Sequence, residues 1–579
     1  FQAIAAESQR KIARFDPQCC ANLLYAFGKL AVQDEKLLEM VVSRVEKTAE
    51  RFKMLELCNA AWGISKMSFP VDKIDKGMQA IATTVVAKVQ DMNPQDLSRT
   101  AWAFANARIK HEKLMDEISW EVMAKIQSFG NQDLSNTSWA FAKMAVSNAM
   151  MMTAIGKKLV TMVKDLIPQD LANTAWAFAT LSLPDSDLMD QILLEVIAKV
   201  SDFSTQNLAN TAWAYAKLGL WNERLMQTLS LAIVRKVKDF DGQGLANVAW
   251  AYAVLGFRSK RLSEALLAAA LEKIEAKEFG AQELANLAFA FDVTGDEDRL
   301  RSFLEAAVPR FLSVDGFSDA AASTELANIV ARHRFRSRGA EELDVEFRQR
   351  FFHPVLRALQ KCATPGGDSV EESGKIVEEL AEEVTTAGLT NFGYVYARQA
   401  MQELGFRICD GSQRPEWVME ARALARSQLE EWRIPGTENI VAVISYELHY
   451  SGDVLRREPT VVTSGWAEGV HDEVKAMLRP VDARGWSCES YSERVALLEL
   501  IEAARCRFGD ESVSELTGWV RMYHSHHTSV TGLGVFCQFR RHVPKVSLDL
   551  DFDGAWYTWA GNPRPLTLLS DEESLYYYG

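Results

Sequence analysis

The chain has 579 residues and a net charge of −14, with 48% hydrophobic and 25% charged residues. This composition is typical of a folded globular protein and excludes a collagen-like or disordered chain. No window contains the roughly 18 consecutive apolar residues of a membrane span, so we expect no membrane contact. Eight cysteines are scattered without a CxxC pair, which favours reduced thiols over a disulfide framework.

The negative charge is concentrated in the second part of the chain. Residues 1–350 carry 42 Lys and Arg against 44 Asp and Glu, a net charge of −2. Residues 351–579 carry 22 against 34, a net charge of −12. Affinity for nucleic-acid phosphates comes from clustered cations, so the first part is the better candidate for binding nucleic acid. The chain begins at Phe1, so a targeting segment that preceded it would not be visible.

The strongest pattern is an internal repeat within residues 1–345. A segment close to LANTAWAFA returns eight times around a central aromatic residue, at spacings of 37, 40, 37, 37, 37, 37 and 39 residues. The central aromatics are Tyr25, Trp62, Trp102, Trp139, Trp176, Trp213, Trp250 and Phe289. A fixed period of this length indicates an α-solenoid, in which each repeat contributes two stacked helices. Apolar residues at helical spacing place the aromatic on the first helix of each pair.

We interpret the central aromatics as core residues packed between repeats, with base stacking as the alternative. Two rows of polar residues recur at fixed distances before them. An asparagine usually lies three residues earlier, and we interpret it as a structural tie between repeats, since a base-reading position should vary. This row contains Asn22, Asn59, Asn136, Asn173, Asn210, Asn247 and Asn286, with Arg99 in the third copy.

The position three residues before the asparagine does vary, and it is the better candidate for reading bases. It contains Asp96, Asp133, Asp170 and Asn207, where an acidic residue would also complement the positive end of a helix.

Lysines form two further rows. Lys88, Lys125, Lys199 and Lys236 lie fourteen residues before an aromatic, and Lys29, Lys66, Lys143 and Lys217 lie four residues after one. Cations that return once per repeat could follow an RNA backbone, or could simply form a solvated face.

The LANxAWAxAxL core at a 37-residue period resembles the octotricopeptide and heptatricopeptide class of helical repeats. It is also similar to repeats in the organellar RNA-editing substrate-binding complex and to the helical part of mitochondrial proteins that carry a RAP domain. The resemblance covers roughly residues 10–335, and no RAP domain is recognisable in this sequence. It implies single-stranded RNA binding in a mitochondrion or plastid, together with protein partners in an RNA-processing complex.

The rest of the chain changes character. We expect a linker with connecting helices at residues 346–434, a smaller α/β domain at 435–560 and a tail at 561–579. Strand-like runs at 439–446, 518–523 and 546–550 alternate with amphipathic helices at 492–503 and 533–541. This alternation predicts a partly parallel sheet.

The order of these parts resembles a cytidine deaminase-like fold. Such domains carry His-x-Glu and Pro-Cys-x-x-Cys at two helix starts, where the His and both Cys hold Zn²⁺ and the Glu transfers protons. By this resemblance the zinc-ligand positions fall on Tyr491, Ser529 and Gly532, and neither Ser nor Gly can supply a thiolate. The glutamate is present as Glu493. We therefore expect a non-catalytic pseudo-deaminase that holds no metal or cofactor.

Three alternatives stay open at this point. The C-terminal domain could be an active zinc-dependent RNA deaminase. The neighbouring His524 and His526 could hold a metal, although a polar loop is the favoured interpretation because no fixed third ligand is evident. The whole chain could also be a protein-interaction scaffold without RNA contact, which fits its acidic charge.

Overall fold

The computed structural model describes two compact units, Phe1–Leu266 and Leu267–Gly579. The positions that it leaves undescribed are 1, 33, 68, 365–369, 390–391, 409–414, 432–440, 464–469, 481–490, 525–528, 553–556, 559–561 and 564–579. His526 and most of the expected tail therefore lie outside the described residues. Among the residues that are described, no helix has the length and apolar character needed to cross a bilayer.

The repeats fold as successive helix pairs. From the N-terminus the helices are α1 Gln2–Lys11, α2 Pro17–Lys29, α3 Glu35–Thr48, α4 Met54–Lys66, α5 Val71–Val86, α6 Pro94–Ala107, α7 Glu112–Lys125, α8 Asn131–Lys143, α9 Ala149–Val160, α10 Pro168–Thr180, α11 Ser186–Lys199, α12 Thr205–Lys217, α13 Glu223–Lys236, α14 Gly242–Val254 and α15 Lys260–Glu275. The even-numbered helices α2 to α14 carry the repeated segment and pack on one another as a first layer. The odd-numbered helices α3 to α13 form a second layer. This is the helix-pair solenoid that the sequence period predicts.

Capping side chains set the starts of many of these helices, whereas α5, α8 and α10 begin without one. In α6, Asn93 Oδ1 accepts a hydrogen bond from the Asp96 amide at 2.9 Å, and Pro94 occupies the first turn. Second-layer helices begin in the same way, since Asp185 caps α11 and Asn222 caps α13. The alternation of the two helices is therefore encoded locally.

Small residues let the first-layer helices approach each other closely. Between α2 and α4, Gly28 faces Gly63, and a Cβ placed on Gly63 would lie only 2.4 Å from the backbone of Leu24. Buried alanines such as Ala175 and Ala212 line the later first-layer helices. The first layer is consequently packed more tightly than the second.

A lysine near the end of each of several second-layer helices ties neighbouring repeats together. Lys125 Nζ donates to the carbonyl oxygens of Gln90 at 2.7 Å and Met92 at 2.9 Å, in the loop before α6. Equivalent contacts join Lys88 to Glu50 and Phe52, Lys199 to Lys164 and Leu166, and Lys236 to Ser201 and Phe203. One whole predicted lysine row thus binds carbonyl groups that the short turns between helices leave unpaired.

Removing one of these ammonium groups should weaken folding. We expect Lys199→Met to lower the free energy of unfolding by about 1–3 kcal/mol, because two charge-assisted hydrogen bonds are lost while the aliphatic stem is kept. Lys157→Met on the exposed face of α9 is the matched control and should change it by less than about 0.5 kcal/mol. Urea unfolding followed by circular dichroism measures both, and equal effects would contradict the lysine tie.

The second unit adds a mixed α/β region to further helices. Its elements are α16 Ala281–Val293, α17 Glu297–Ser313, α18 Ala320–Arg332, α19 Arg338–Phe347, a π-helical turn Arg348–Phe352, α20 His353–Ala363, α21 Val370–Ala387, α22 Gly393–Glu403, β1 Arg407–Ile408, α23 Glu416–Glu431, β2 Val441–Tyr450, β3 Asp453–Thr463, α24 Asp472–Lys475, α25 Ser492–Phe508, β4 Thr517–His524, α26 Val530–His542, β5 Val546–Phe552, β6 Tyr557–Thr558 and β7 Asn562–Pro563. Within this unit, α16 packs on α18 and α18 packs on α22.

The main sheet has the strand order β1-β5-β4-β2-β3. Strand β2 is antiparallel to β3 and β4, whereas β5 is parallel to β4 and β1. The partly parallel sheet is as predicted, but β3 was missed because Arg456, Arg457 and Glu458 interrupt its apolar pattern.

Candidate nucleic-acid interface

One face of the first-layer helices is exposed and repeats the same residues. A glutamine lies seven residues before the central tryptophan and an asparagine lies three residues before it, so the three side chains share one helical face. Four successive helices, α8 to α14, carry the same triple: Gln132, Asn136 and Trp139; Gln169, Asn173 and Trp176; Gln206, Asn210 and Trp213; and Gln243, Asn247 and Trp250. These twelve residues define what we call the amide face. Its glutamines are exposed and its asparagines are partly exposed.

The tryptophans of the amide face form a ladder. Ring centroids lie 6.4 Å apart between Trp139 and Trp176, 6.3 Å between Trp176 and Trp213, and 6.4 Å between Trp213 and Trp250. Trp102 extends the ladder at 6.0 Å from Trp139. The rings pack between repeats, but only Trp250 among these five is buried. The ladder therefore also presents an aromatic surface along the array.

The carboxamides of the amide face are available for other partners. Within the part of the chain that the structure describes, these eight Asn and Gln side chains form no hydrogen bond with protein groups. A further Leu-Ala-Asn segment, at residues 326–328 in α18, differs. Its Asn328 donates to Phe392 O at 2.8 Å and accepts from the Val395 amide at 2.9 Å. Among the described residues, the structural tie expected of the asparagine row is thus not formed by the four asparagines of the amide face, whereas Asn328, outside that row, forms one with the start of α22.

The glutamine row was not predicted from sequence. Its members recur at intervals of 37 residues, seven residues before each tryptophan, so the same periodicity that identified the other rows would have revealed it.

The two kinds of asparagine should respond differently to truncation. We expect Asn173→Ala to leave the free energy of unfolding unchanged or slightly raised, because no protein hydrogen bond is lost and Ala favours the helix. Asn328→Ala should lower it by about 1–3 kcal/mol, because two buried backbone groups lose their partner. Chemical denaturation of both variants measures the difference, and a large loss in Asn173→Ala would show that the amide face is structural.

The variable row that was predicted to read bases, Asp96, Asp133, Asp170 and Asn207, lies at the starts of first-layer helices. Its members contact protein groups there. Asp133 Oδ1 accepts a hydrogen bond from Ser98 Oγ at 3.0 Å, across to the preceding repeat. Asp170 is buried, and this burial raises the pKa of its carboxyl; partial burial has the same effect on the pKa of Asp96. The Asn207 amide donates to the capping hydroxyl of Ser204. This row therefore contributes to helix starts and repeat contacts.

The second lysine row is exposed only in part. Lys29, Lys66 and Lys143 are exposed at the ends of their helices. Lys66 Nζ lies 4.6 Å from the ring centroid of Trp102 and 5.7 Å from that of Trp62, a cation–π arrangement. Lys217 is buried, and burial lowers the pKa of its ammonium group. Cationic charge is thus richest at the N-terminal helices and sparse along the amide face.

The positions of the expected vestigial zinc site lie at the starts of α25 and α26, which pack against each other. Glu493 is buried in the first turn of α25, with Oε2 at 3.1 Å from Nε2 of His524 at the end of β4. Ser492 Oγ lies 3.2 Å from the same nitrogen. Ser529 caps α26 by accepting from the Gly532 amide at 3.0 Å, and Tyr491 precedes α25.

Few side chains that could bind a metal lie together near these helix starts in the described residues. Within the described ranges, no group of three or more His, Cys, Asp or Glu side chains could hold a metal ion. His524, a candidate for a metal pair, instead contacts the glutamate and serine of α25.

The repeat array matches a known protein family. Residues 6–260 match the family model of the RNA-editing substrate-binding complex 6 protein. The match covers less than half of the chain and includes all of the amide face. Among curated proteins, none matches the chain.

Proposed function

We propose that the amide face binds single-stranded RNA. The observation that carries this proposal is the repetition, on four adjacent helices, of two carboxamides without protein partners beside a tryptophan ladder. Carboxamides can hydrogen-bond to the edges of unpaired bases, and aromatic rings stack on them. The similarity of residues 6–260 to a subunit family named for RNA-editing substrate binding supports the same assignment.

Base contacts are expected to supply most of the affinity. Lys29, Lys66 and Lys143 are the proposed phosphate contacts, since their ammonium groups are exposed on first-layer helices. The lysines of the other row already donate to backbone carbonyls. With few cations near the amide face, we expect a shallow dependence of affinity on salt.

We further propose a role in an organellar RNA-processing or editing assembly, in a mitochondrion or plastid, with protein partners. A separate observation supports protein contacts. Trp120, Leu194 and Leu231 occupy corresponding positions on the second-layer helices α7, α11 and α13, and each is more than half exposed. Leu194 and Leu231 lie on neighbouring helices, whereas the corresponding residue of α9 is the exposed Lys157. Contiguous exposed apolar residues favour a protein-binding surface.

For the C-terminal domain we propose a deaminase-like fold without catalysis. The mixed sheet, and the adjacent helix starts at Ser492 and Val530, support the fold. The Glu493 carboxylate is held by a histidine, and Ser529 and Gly532 offer no thiolate for zinc. Such a domain would serve assembly or substrate presentation.

The RNA proposal is tested with the full chain and a fluorescent pool of single-stranded RNA. We expect Asn173→Ala combined with Asn210→Ala to weaken binding about tenfold or more, because two hydrogen bonds to bases are lost. Gln191→Ala combined with Gln227→Ala removes two carboxamides from the second layer and should leave affinity unchanged. Fluorescence anisotropy measures both. Unchanged affinity in the first variant would show that RNA binds outside the amide face. A parent chain that does not bind RNA would favour the protein-interaction scaffold.

Zinc content and deaminase activity test the proposal that the C-terminal domain is not catalytic. Metal analysis of the purified full chain should find well under one zinc per chain, and cytidine in single-stranded RNA should not be deaminated. One equivalent of zinc, together with deamination that Glu493→Ala abolishes, would instead establish an active enzyme.

A further inference from the structure

The amide face offers a ligand four registers with the same residues, and in three of them, on α8, α10 and α12, the tryptophan ring is partly exposed. Each of the helices α8, α10, α12 and α14 has the same Gln, Asn and Trp at the same positions, and the ring spacing between them varies only from 6.3 to 6.4 Å. A surface that reads a mixed sequence needs different residues at successive positions. A uniform surface instead makes the same contact at every step, so it is matched by a ligand that also repeats.

Between the two purines, the chemistry of the repeated contact favours adenine. A carboxamide presents a donor and an acceptor side by side, which pairs in bidentate fashion with the N6 amine and N7 of adenine. Guanine is read best by Arg or Lys through O6 and N7. None of the four helices contains an arginine, and their two lysines lie in the last helical turn, where Lys217 is buried and Lys143 is the proposed phosphate contact.

The ladder also restricts how a base can stack. A base inserted between two rings needs about 7 Å, two contacts of about 3.5 Å each, which exceeds the spacing of the rings. Bases must therefore lie along the exposed side of the ladder, one beside each ring and its two carboxamides. A purine covers more of this aromatic surface than a pyrimidine does, which again favours adenine.

We propose that the amide face binds a run of adenines, one nucleotide per repeat, in preference to a mixed sequence. This inference rests on the proposed RNA binding and names the class of RNA. Because a shift by one repeat preserves most of the contacts, a long adenine run can bind in several overlapping registers. Affinity should consequently rise with the length of the run beyond four nucleotides.

The test compares four labelled RNA 12-mers with the full chain: oligo(A), oligo(U), oligo(C) and a mixed sequence. We expect oligo(A) to bind at least tenfold more tightly than the other three. Equal affinity for all four, or tighter binding of oligo(U), oligo(C) or the mixed sequence, would overturn the adenine proposal while leaving RNA binding in place. Failure of all four to bind would contradict RNA binding itself.

A variant separates base recognition from general loss of affinity. In Asn173→Ala combined with Asn210→Ala, the ratio of oligo(A) to oligo(C) affinity should fall at least threefold, because the contacts that distinguish the bases are lost. The Gln191→Ala and Gln227→Ala control should keep the parent ratio. An unchanged ratio in the asparagine variant would overturn the proposal, since base recognition would then not depend on the asparagines of the amide face.

Discussion

Close packing of the first-layer helices is the constraint on which the rest of the array depends. Glycine at 28 and 63, and buried alanines such as Ala175 and Ala212, remove the bulk that would hold these helices apart. The helices then approach until tryptophans of successive repeats meet at 6.3 to 6.4 Å. The same spacing aligns the carboxamides of Gln and Asn into continuous rows. Larger side chains at the alanine positions would separate the rings and the rows together.

The two layers have different roles in this account. The second layer fixes the repeats in register, since Lys125 and its equivalents bind carbonyl groups of the preceding repeat. Those cations are thereby committed to structure, which leaves the amide face polar but weakly charged. A chain with a net charge of −14 could bind RNA in this way, because hydrogen bonds and stacking to bases do not require a strongly positive surface.

The solenoid was predictable because one segment encodes both the helix and its packing layer, and its period is visible in the sequence. The roles of individual side chains were less predictable. Lys125 and Lys143 look alike as periodic cations, but only Lys125 has carbonyl oxygens of a neighbouring repeat within reach. Asn173 and Asn328 share the LAN motif, and they differ because the start of α22 lies beside Asn328 alone. Spacing along a chain cannot reveal such neighbours. In the second unit, the contact between Glu493 and His524 joins elements 31 residues apart and depends on the sheet order.

The location of bound RNA is the central claim, and photo-crosslinking addresses it most directly. RNA carrying a photoreactive base would be bound to the full chain, irradiated, digested and mapped by mass spectrometry. RNA bound on the amide face would give crosslinks concentrated on Trp139, Trp176 and Trp213 and on neighbouring residues of their first-layer helices. Crosslinks confined to second-layer helices, or to residues 267–579, would contradict it.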